Sequence, residues 1–284
     1  MYNSKILVVL IILAKFHNYS GCGPDKKESE SPPAYDLNTP VKINMPEGLD
    51  EISGLSYYPK DSSVFAIIDE NGLLFKISLN GNNQIRQWTF DKKHDFEDLV
   101  MHDSTFYVLI SNGDIETLHF DGDTIKKNNS KFPDADKKTN EFETLYYDDT
   151  RGLMMLCKNC EEDKKKKVTA FRVTPDSSAY TVGYEIDVAP IAEKTKEDKF
   201  HFKPSAAAIN PLTNELYVLA SVNKLLVVAD RDGKVKNTYQ LDPVTFNQPE
   251  GITFTPWGDL IISNEKGEED NATLLIFKPK KKGR

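Results

Sequence analysis

Short apolar runs separated by polar turns fill the chain from about residue 41 onward, and they recur in a fixed order. Val64-Phe-Ala-Ile-Ile68, Phe106-Tyr-Val-Leu-Ile110, Leu153-Met-Met-Leu156, Leu216-Tyr-Val-Leu219 and Leu260-Ile-Ile262 are nearly continuous apolar stretches. Runs this short, rich in β-branched and aromatic residues, predict strands covered on both faces rather than helices. Each follows, by about ten residues, one recurring phrase. The five phrases are Glu51-Ile-Ser-Gly-Leu-Ser-Tyr57, Asp95-Phe-Glu-Asp-Leu-Val-Met101, Glu141-Phe-Glu-Thr-Leu-Tyr-Tyr147, Lys203-Pro-Ser-Ala-Ala-Ala-Ile209 and Gln248-Pro-Glu-Gly-Ile-Thr-Phe254. With Ser53, Glu97, Glu143, Ser205 and Glu250 in common register, the steps are 44, 46, 62 and 45 residues. The long step holds the lysine-rich loop after Cys160 and the segment Pro190–His201.

A third strand follows each apolar run, as in Leu73–Ile77, Leu225–Val228 and Leu274–Phe277, with Asn71-Gly72 and Asn112-Gly113 marking tight connections before it. Asn80-Gly81, Asp121-Gly122 and Asp232-Gly233 mark hairpins into a more polar fourth strand, such as Ile85–Phe90 or Val235–Leu241. Four strands in a period near 45 residues describe a blade of an all-β propeller. The fifth repeat runs out at Phe277, and the polar tail cannot add a fourth strand. Val41–Pro46 resembles the fourth-strand endings Tyr184–Pro190 and Tyr239–Pro243, so an N-terminal strand would complete the last blade and close the ring. Five blades then use every residue; six is the alternative, with the insertion pieced together with distant segments.

The N-terminus belongs to a different regime. Lys5 precedes the apolar run Ile6–Ala14, which has the length of a signal-peptide core and is too short to span a bilayer. Tyr19-Ser20-Gly21-Cys22 resembles a bacterial lipobox, which would make Cys22 the lipidated N-terminus of the mature protein. An ordinary signal peptide or an uncleaved anchor is the alternative. The expected organisation is a signal over 1–22, a flexible polar tether over 23–34 and one propeller domain over 35–280. It places the protein in the cell envelope, held to the membrane and facing the periplasm or the exterior.

Charge narrows the partners. A net charge of −8, from 44 acidic and 36 basic residues, leaves no basic stripe for a nucleic acid. The basic run Lys164–Lys167 directly follows Glu161, Glu162 and Asp163, which cancel its field. Cys157 and Cys160 form a single CxxC without the second ligand pair of a zinc site. In an oxidising compartment they are expected to form a local disulfide, with free thiols as the alternative.

Glu51-Ile-Ser-Gly-Leu, Phe96-Glu-Asp-Leu, Gln248-Pro-Glu-Gly-Ile-Thr-Phe and Ile262-Ser-Asn-Glu265, with the lipoprotein-like start, resemble the SdiA-regulated, YjiK-like family of bacterial envelope proteins. The resemblance covers roughly residues 35–278. It implies a propeller named after a regulator of some relatives rather than for an activity, and it supplies no catalytic residue to carry over.

Propeller symmetry would bring Glu97, Glu143 and Glu250 around one axis, with Ser53 and Ser205 in the other two blades. Carboxylates packed together repel unless a cation or an arginine neutralises them, and hard oxygen ligands suit Ca²⁺. The alternative is a structural staple, each Glu accepting backbone N–H groups of the next blade. A second acidic set, Asp69, Glu70, Asn264 and Glu265, ends the second strands of blades one and five and would share a rim, unless it is only turn chemistry. The histidines fall at unrelated phases of the repeat, and no nucleophile elbow or phosphate loop is visible. The leading expectation is therefore a ligand-binding or scaffold module of the envelope, its partner a small ligand or an envelope protein. The alternative is a metal-dependent hydrolase, phosphatase- or lactonase-like, working in an acidic channel.

Overall fold

The computed structural model describes residues 29–81, 84–133, 140–195 and 200–280. The expected signal peptide, Cys22 and residues 23–28 of the tether lie outside the described residues. Strand β1 (Val41–Asn44) leads into blade one, β2 (Ile52–Tyr58), β3 (Ser63–Ile68), β4 (Leu73–Ser78) and β5 (Ile85–Thr89). Blade two is β6 (Phe96–His102), β7 (Thr105–Ile110), β8 (Ile115–Asp121) and β9 (Thr124–Ser130). Blade three is β10 (Glu141–Asp148), β11 (Gly152–Asn159), β12 (Lys167–Thr174) and β13 (Ala179–Asp187), and a short helix, α1 (Ala189–Thr195), follows it. Blade four is β14 (Ala206–Ile209), β15 (Leu216–Ala220), β16 (Leu225–Ala229) and β17 (Val235–Gln240). Blade five is β18 (Pro249–Phe254), β19 (Leu260–Asn264) and β20 (Thr273–Phe277), with β1 as its fourth strand.

The ring has five blades, not six. Closure runs through β1, which pairs antiparallel with β20 from Val41 opposite Ile276 to Asn44 opposite Thr273. The last blade thus has the same four strands as the others, and the chain ends are tied into one sheet. The long step is absorbed by the insertion between β11 and β12 and by α1 with the residues between it and β14.

Five apolar clusters hold the ring, one between each pair of neighbouring blades. The cluster between blades one and two joins Phe65, Ile67 and Leu74 to Phe96, Leu99 and Phe106. The central strands β15 and β16 are buried along their whole length, as their unbroken apolar sequences require. Between blades four and five the cluster also takes in Tyr35 and Leu37. The Tyr35 hydroxyl donates to the Gly258 carbonyl (2.7 Å) and accepts from Asn210 Nδ2 (2.9 Å). The domain therefore captures the chain just where the tether was expected to end. Lys280 N also donates to the Ala34 carbonyl (2.7 Å). Among the described residues no helix is long and apolar enough to cross a membrane.

Candidate functional site

The inner strands β2, β6, β10, β14 and β18 pack side by side around the axis. All five begin at one mouth of the channel and end at the other. Because each blade is an antiparallel meander, the connections between second and third strands return to the mouth where the inner strands begin. That mouth collects Glu97, Glu143 and Glu250 from the inner strands. It also receives Asp69, Glu70, Lys158, Ser221, Lys224, Asn264 and Glu265 from the ends of second strands or the connections that follow them.

A backbone irregularity marks the common register. The ladder between first and second strands slips between Ile52 and Leu55, Phe96 and Asp98, Phe142 and Thr144, and Pro249 and Gly251. Glu97, Glu143 and Glu250 are the extra residues of these bulges, as is the pair Ser53-Gly54 in blade one. A bulge bends the strand and re-aims its side chain, and bulges concentrate at functional sites. Ser205 stands just ahead of β14.

The register then divides into structural and chemical positions. Ser53 Oγ donates to the Glu97 carbonyl, Ser205 Oγ to the Pro249 carbonyl (2.9 Å), and Ser263 Oγ to the Ser53 carbonyl (3.0 Å). These serines stitch blade to blade. The staple considered for the glutamates falls instead to Asp98, whose buried carboxylate accepts Leu99 N and Leu145 N of blade three, both at 2.8 Å. A Cβ at Gly54 would lie 2.2 Å from Leu99 N, and one at Gly251 would lie 2.4 Å from the Ser53 carbonyl. Glycine there lets adjacent inner strands close up, leaving the carboxylates at the rim of a narrow channel.

Lys158, near the end of β11, projects into this ring. Its Nζ pairs with Glu143 and with Glu141 (2.8 Å). Its charge also acts through space on Glu97 and Glu250. Burial pushes the Glu97 carboxyl up to about 9; Asp95, Glu250 and Glu141 push the same way, and Lys158 only partly offsets them. Burial also raises Glu250, against a hydrogen bond from Ser221 and the charges of Lys158 and Lys224.

The second acidic set splits. Burial carries Glu265 up to about 8, with Glu250, Glu51 and Asp69 adding repulsion. Asp69 is raised first by burial and then by Glu51. Glu70, one residue on, turns outward to an exposed pair with Lys93 (2.8 Å). Asn264 is buried and donates from Nδ2 to the Thr245 carbonyl (3.0 Å) and Thr273 Oγ1 (3.2 Å). Two buried acceptors of this set, Asp69 Oδ1 and Asn264 Oδ1, have no hydrogen-bond partner among the described residues.

Sequence reasoning missed three groups here. Lys158 was hidden inside the CxxC. Lys224 donates to the Ser221 carbonyl (2.9 Å), and burial pulls its ammonium down. His201, set aside for its phase in the repeat, lies near enough to Glu141 to feel its charge; burial, Lys165 and Lys203 push its imidazole down. Cys157 and Cys160 are joined as a disulfide.

At the opposite mouth the inner strands end in a cavity of about 510 Å³ whose walls include Tyr57, His102, Tyr147, Ile209 and Phe254. The His102 ring stacks on Tyr147 at 3.7 Å and 16°.

Several solved structures share this architecture. Myxococcus xanthus glutaminyl cyclase superposes with a TM-score of 0.57 at 14% identity, over 84% of this chain and 97% of that one. A luciferin-regenerating enzyme gives 0.54 at 11%, over 84% and 95%. The calcium-binding protein regucalcin from Agrobacterium tumefaciens gives 0.50 at 11%, over 88% and 95%. At these identities the likeness is one of fold. No curated protein sequence matches the chain. Residues 27–267 match the family described as SdiA-regulated.

Proposed function

The chain belongs to the SdiA-regulated family, and we propose that it is an exported, membrane-anchored binding module of the cell envelope that holds a divalent cation at its acidic mouth. One observation carries this reading. Among the described residues Asp69 Oδ1 and Asn264 Oδ1 are buried acceptors without a donor, at second-strand ends that return to the mouth of Glu97, Glu250 and Glu265. A buried oxygen that only accepts, left without a donor, costs about 1–3 kcal/mol, and two such oxygens at the mouth that carries the register glutamates favour a cation there. The donor set is entirely oxygen, the preference of Ca²⁺ and Mg²⁺ rather than of zinc or copper. Glu97, Glu143, Glu250, Glu265, Asp69 and Asn264 would supply the ligands. Among the described residues no three of these carboxylates bring oxygens within 4.8 Å of one another, so binding would have to draw the rim together. The regucalcin neighbour, described as calcium-binding, makes Ca²⁺ the first ion to test. Bound there, the ion would fix the rim and offer open positions to an anionic or carbonyl-bearing ligand.

Export through residues 1–22 and anchoring through Cys22 complete the proposal, supported by the signal-like apolar run and the small residues ahead of the cysteine. Metabolic labelling of the full chain with palmitate tests them: label should enter the wild type and not Cys22→Ser. The cation is tested by thermal melts of detergent-solubilised full chain with Ca²⁺ or EDTA. A rise with Ca²⁺ that EDTA reverses supports the reading, and melts indifferent to both end it.

A metal-dependent hydrolase is the second reading. The observation favouring it is His201, whose depressed imidazole is neutral at physiological pH and so able to act as a general base near Glu141. Turnover of p-nitrophenyl phosphate or a simple lactone by Ca²⁺-loaded protein, abolished in His201→Gln, would promote it above the binding module.

A further inference from the structure

The acidic mouth already contains ammonium groups of the chain's own, and Lys158 is ion-paired to two of its carboxylates. Lys158 sits between Cys157 and Cys160, whose disulfide spans a Cα–Cα distance of 6.0 Å and pins the end of β11. The lysine side chain is only 12% exposed, with Glu143 and Glu141 as its ion-pair partners. It also acts electrostatically on Glu97 and Glu250. A free lysine stem surrenders rotamer entropy when held in one geometry. A backbone pinned on both sides of the residue limits where the ammonium can go, and so favours the seated arrangement.

We propose that Lys158 is a tethered competitor for the cation of the acidic mouth, and that the Cys157–Cys160 bond sets its grip. The inference rests on the cation reading of that mouth. With the disulfide intact, the ammonium occupies carboxylates that an incoming divalent ion needs, and its like charge opposes the ion's approach. With the bond reduced, the end of β11 is released, Lys158 leaves the ring more readily, and the mouth takes the ion more tightly.

The chemistry is thiol–disulfide exchange with an external dithiol. Cys157 is buried, whereas Cys160 is half-buried and lines a cavity of about 380 Å³, so the attack falls on Cys160 Sγ. The dithiol's thiolate forms a mixed disulfide with Cys160 and expels Cys157 as a thiolate, which takes up a proton. The second thiol of the dithiol then closes on the first and frees Cys160. Two electrons and two protons pass to the cysteine pair, and the dithiol leaves as a disulfide.

The test is calorimetric titration of the oxidised full chain with CaCl₂ alone, repeated after reduction with dithiothreitol. Lys158→Met should tighten Ca²⁺ at least tenfold, and Lys158→Arg, which keeps the charge, should not. Reduction should tighten the wild type several-fold and leave Lys158→Met unchanged. A second readout is the rate at which an amine-acylating reagent labels Lys158 without Ca²⁺, followed by peptide mass spectrometry; it should rise several-fold on reduction. If Lys158→Met binds Ca²⁺ with wild-type affinity, the competitor is disproved while the cation site stands. If labelling and affinity ignore reduction, the disulfide has no part in it. If neither protein binds Ca²⁺, the cation reading fails and this inference with it.

Discussion

Glu97 lies at the start of strand β6 and His102 at its end, and the two side chains meet opposite surroundings. At the His102 end, the ring stacks on Tyr147, Tyr57 meets Trp257 edge to face at 5.8 Å, and hydroxyls bind neighbouring backbone. Ser56 Oγ accepts Met101 N (3.0 Å) and Thr253 Oγ1 accepts Tyr57 N (3.2 Å). At the Glu97 end, carboxylates crowd one another, two buried oxygens lack donors, and two lysines supply the positive charge. Among the described residues, the aromatic mouth leaves no buried side-chain polar atom unpaired, whereas the acidic mouth leaves Asp69 Oδ1 and Asn264 Oδ1 so. Native structures leave few buried polar groups unpaired, and perturbed acids concentrate at functional sites. The same strands thus hold the ring together at one end and leave the other under electrostatic tension.

That contrast is sharpest in stability measurements. The largest change is expected at the aromatic mouth: Tyr57→Ala removes a buried ring from the interface of blades five and one and should cost about 3–4 kcal/mol. For a chain of this size that lowers Tm by roughly 10 °C, with or without Ca²⁺. A smaller and opposite effect belongs to the acidic mouth. Ca²⁺ at about a hundred times its Kd should stabilise by about 2.7 kcal/mol and raise Tm by roughly 5–10 °C. A larger Ca²⁺ response in Tyr57→Ala than in wild type would show that the two mouths are coupled.

Next comes pH. Glu97 has an ordinary carboxyl value of 4.5 and is pushed up to about 9 in the fold. Below 4.5 it is protonated in both the folded and the unfolded chain. Between 4.5 and about 9 the unfolded chain ionises while the folded one holds its proton, so stability falls as pH rises through that window. Glu97→Gln should flatten the decline and raise Tm at pH 8 by roughly 2–6 °C without Ca²⁺. A decline just as steep in Glu97→Gln would place the tension elsewhere. The smallest effect is expected at Glu70, beside Asp69 but turned to solvent with Lys93. Glu70→Ala should change stability by less than about 1 kcal/mol and leave Ca²⁺ binding intact.

The repeat made the ring legible. Five phrases with matching apolar runs fixed the blades, and the likeness of Val41–Pro46 to a fourth-strand ending located the closure later seen between β1 and β20. The shared register of Glu97, Glu143 and Glu250 pointed to one mouth because symmetry carries equal positions to equal places. Three features stayed hidden for physical reasons. A bulge adds one unpaired residue without disturbing the hydrophobic count, so the slips at Glu97, Glu143 and Glu250 leave no trace in the pattern. Asp69 and Glu70 are equal in sequence, and only the turn decides which one faces inward. Lys158 reads as one more charge in a loop until the fold brings β11 beside Glu141 and Glu143. The staple role of Asp98 was hidden in the same way, since Leu145 N is distant in sequence.

Calorimetric titration of the full chain with Ca²⁺ near pH 7.5, in two buffers of different ionisation enthalpy, tests the cation site most directly. Binding should release more than one proton, because an ion that displaces the protons held on Glu97 and Glu265 must send them to the buffer, and both the heat and the proton release should vanish in Glu97→Gln/Glu250→Gln. Binding that survives unchanged in that double variant, or no binding in the wild type, would contradict the assignment of the acidic mouth.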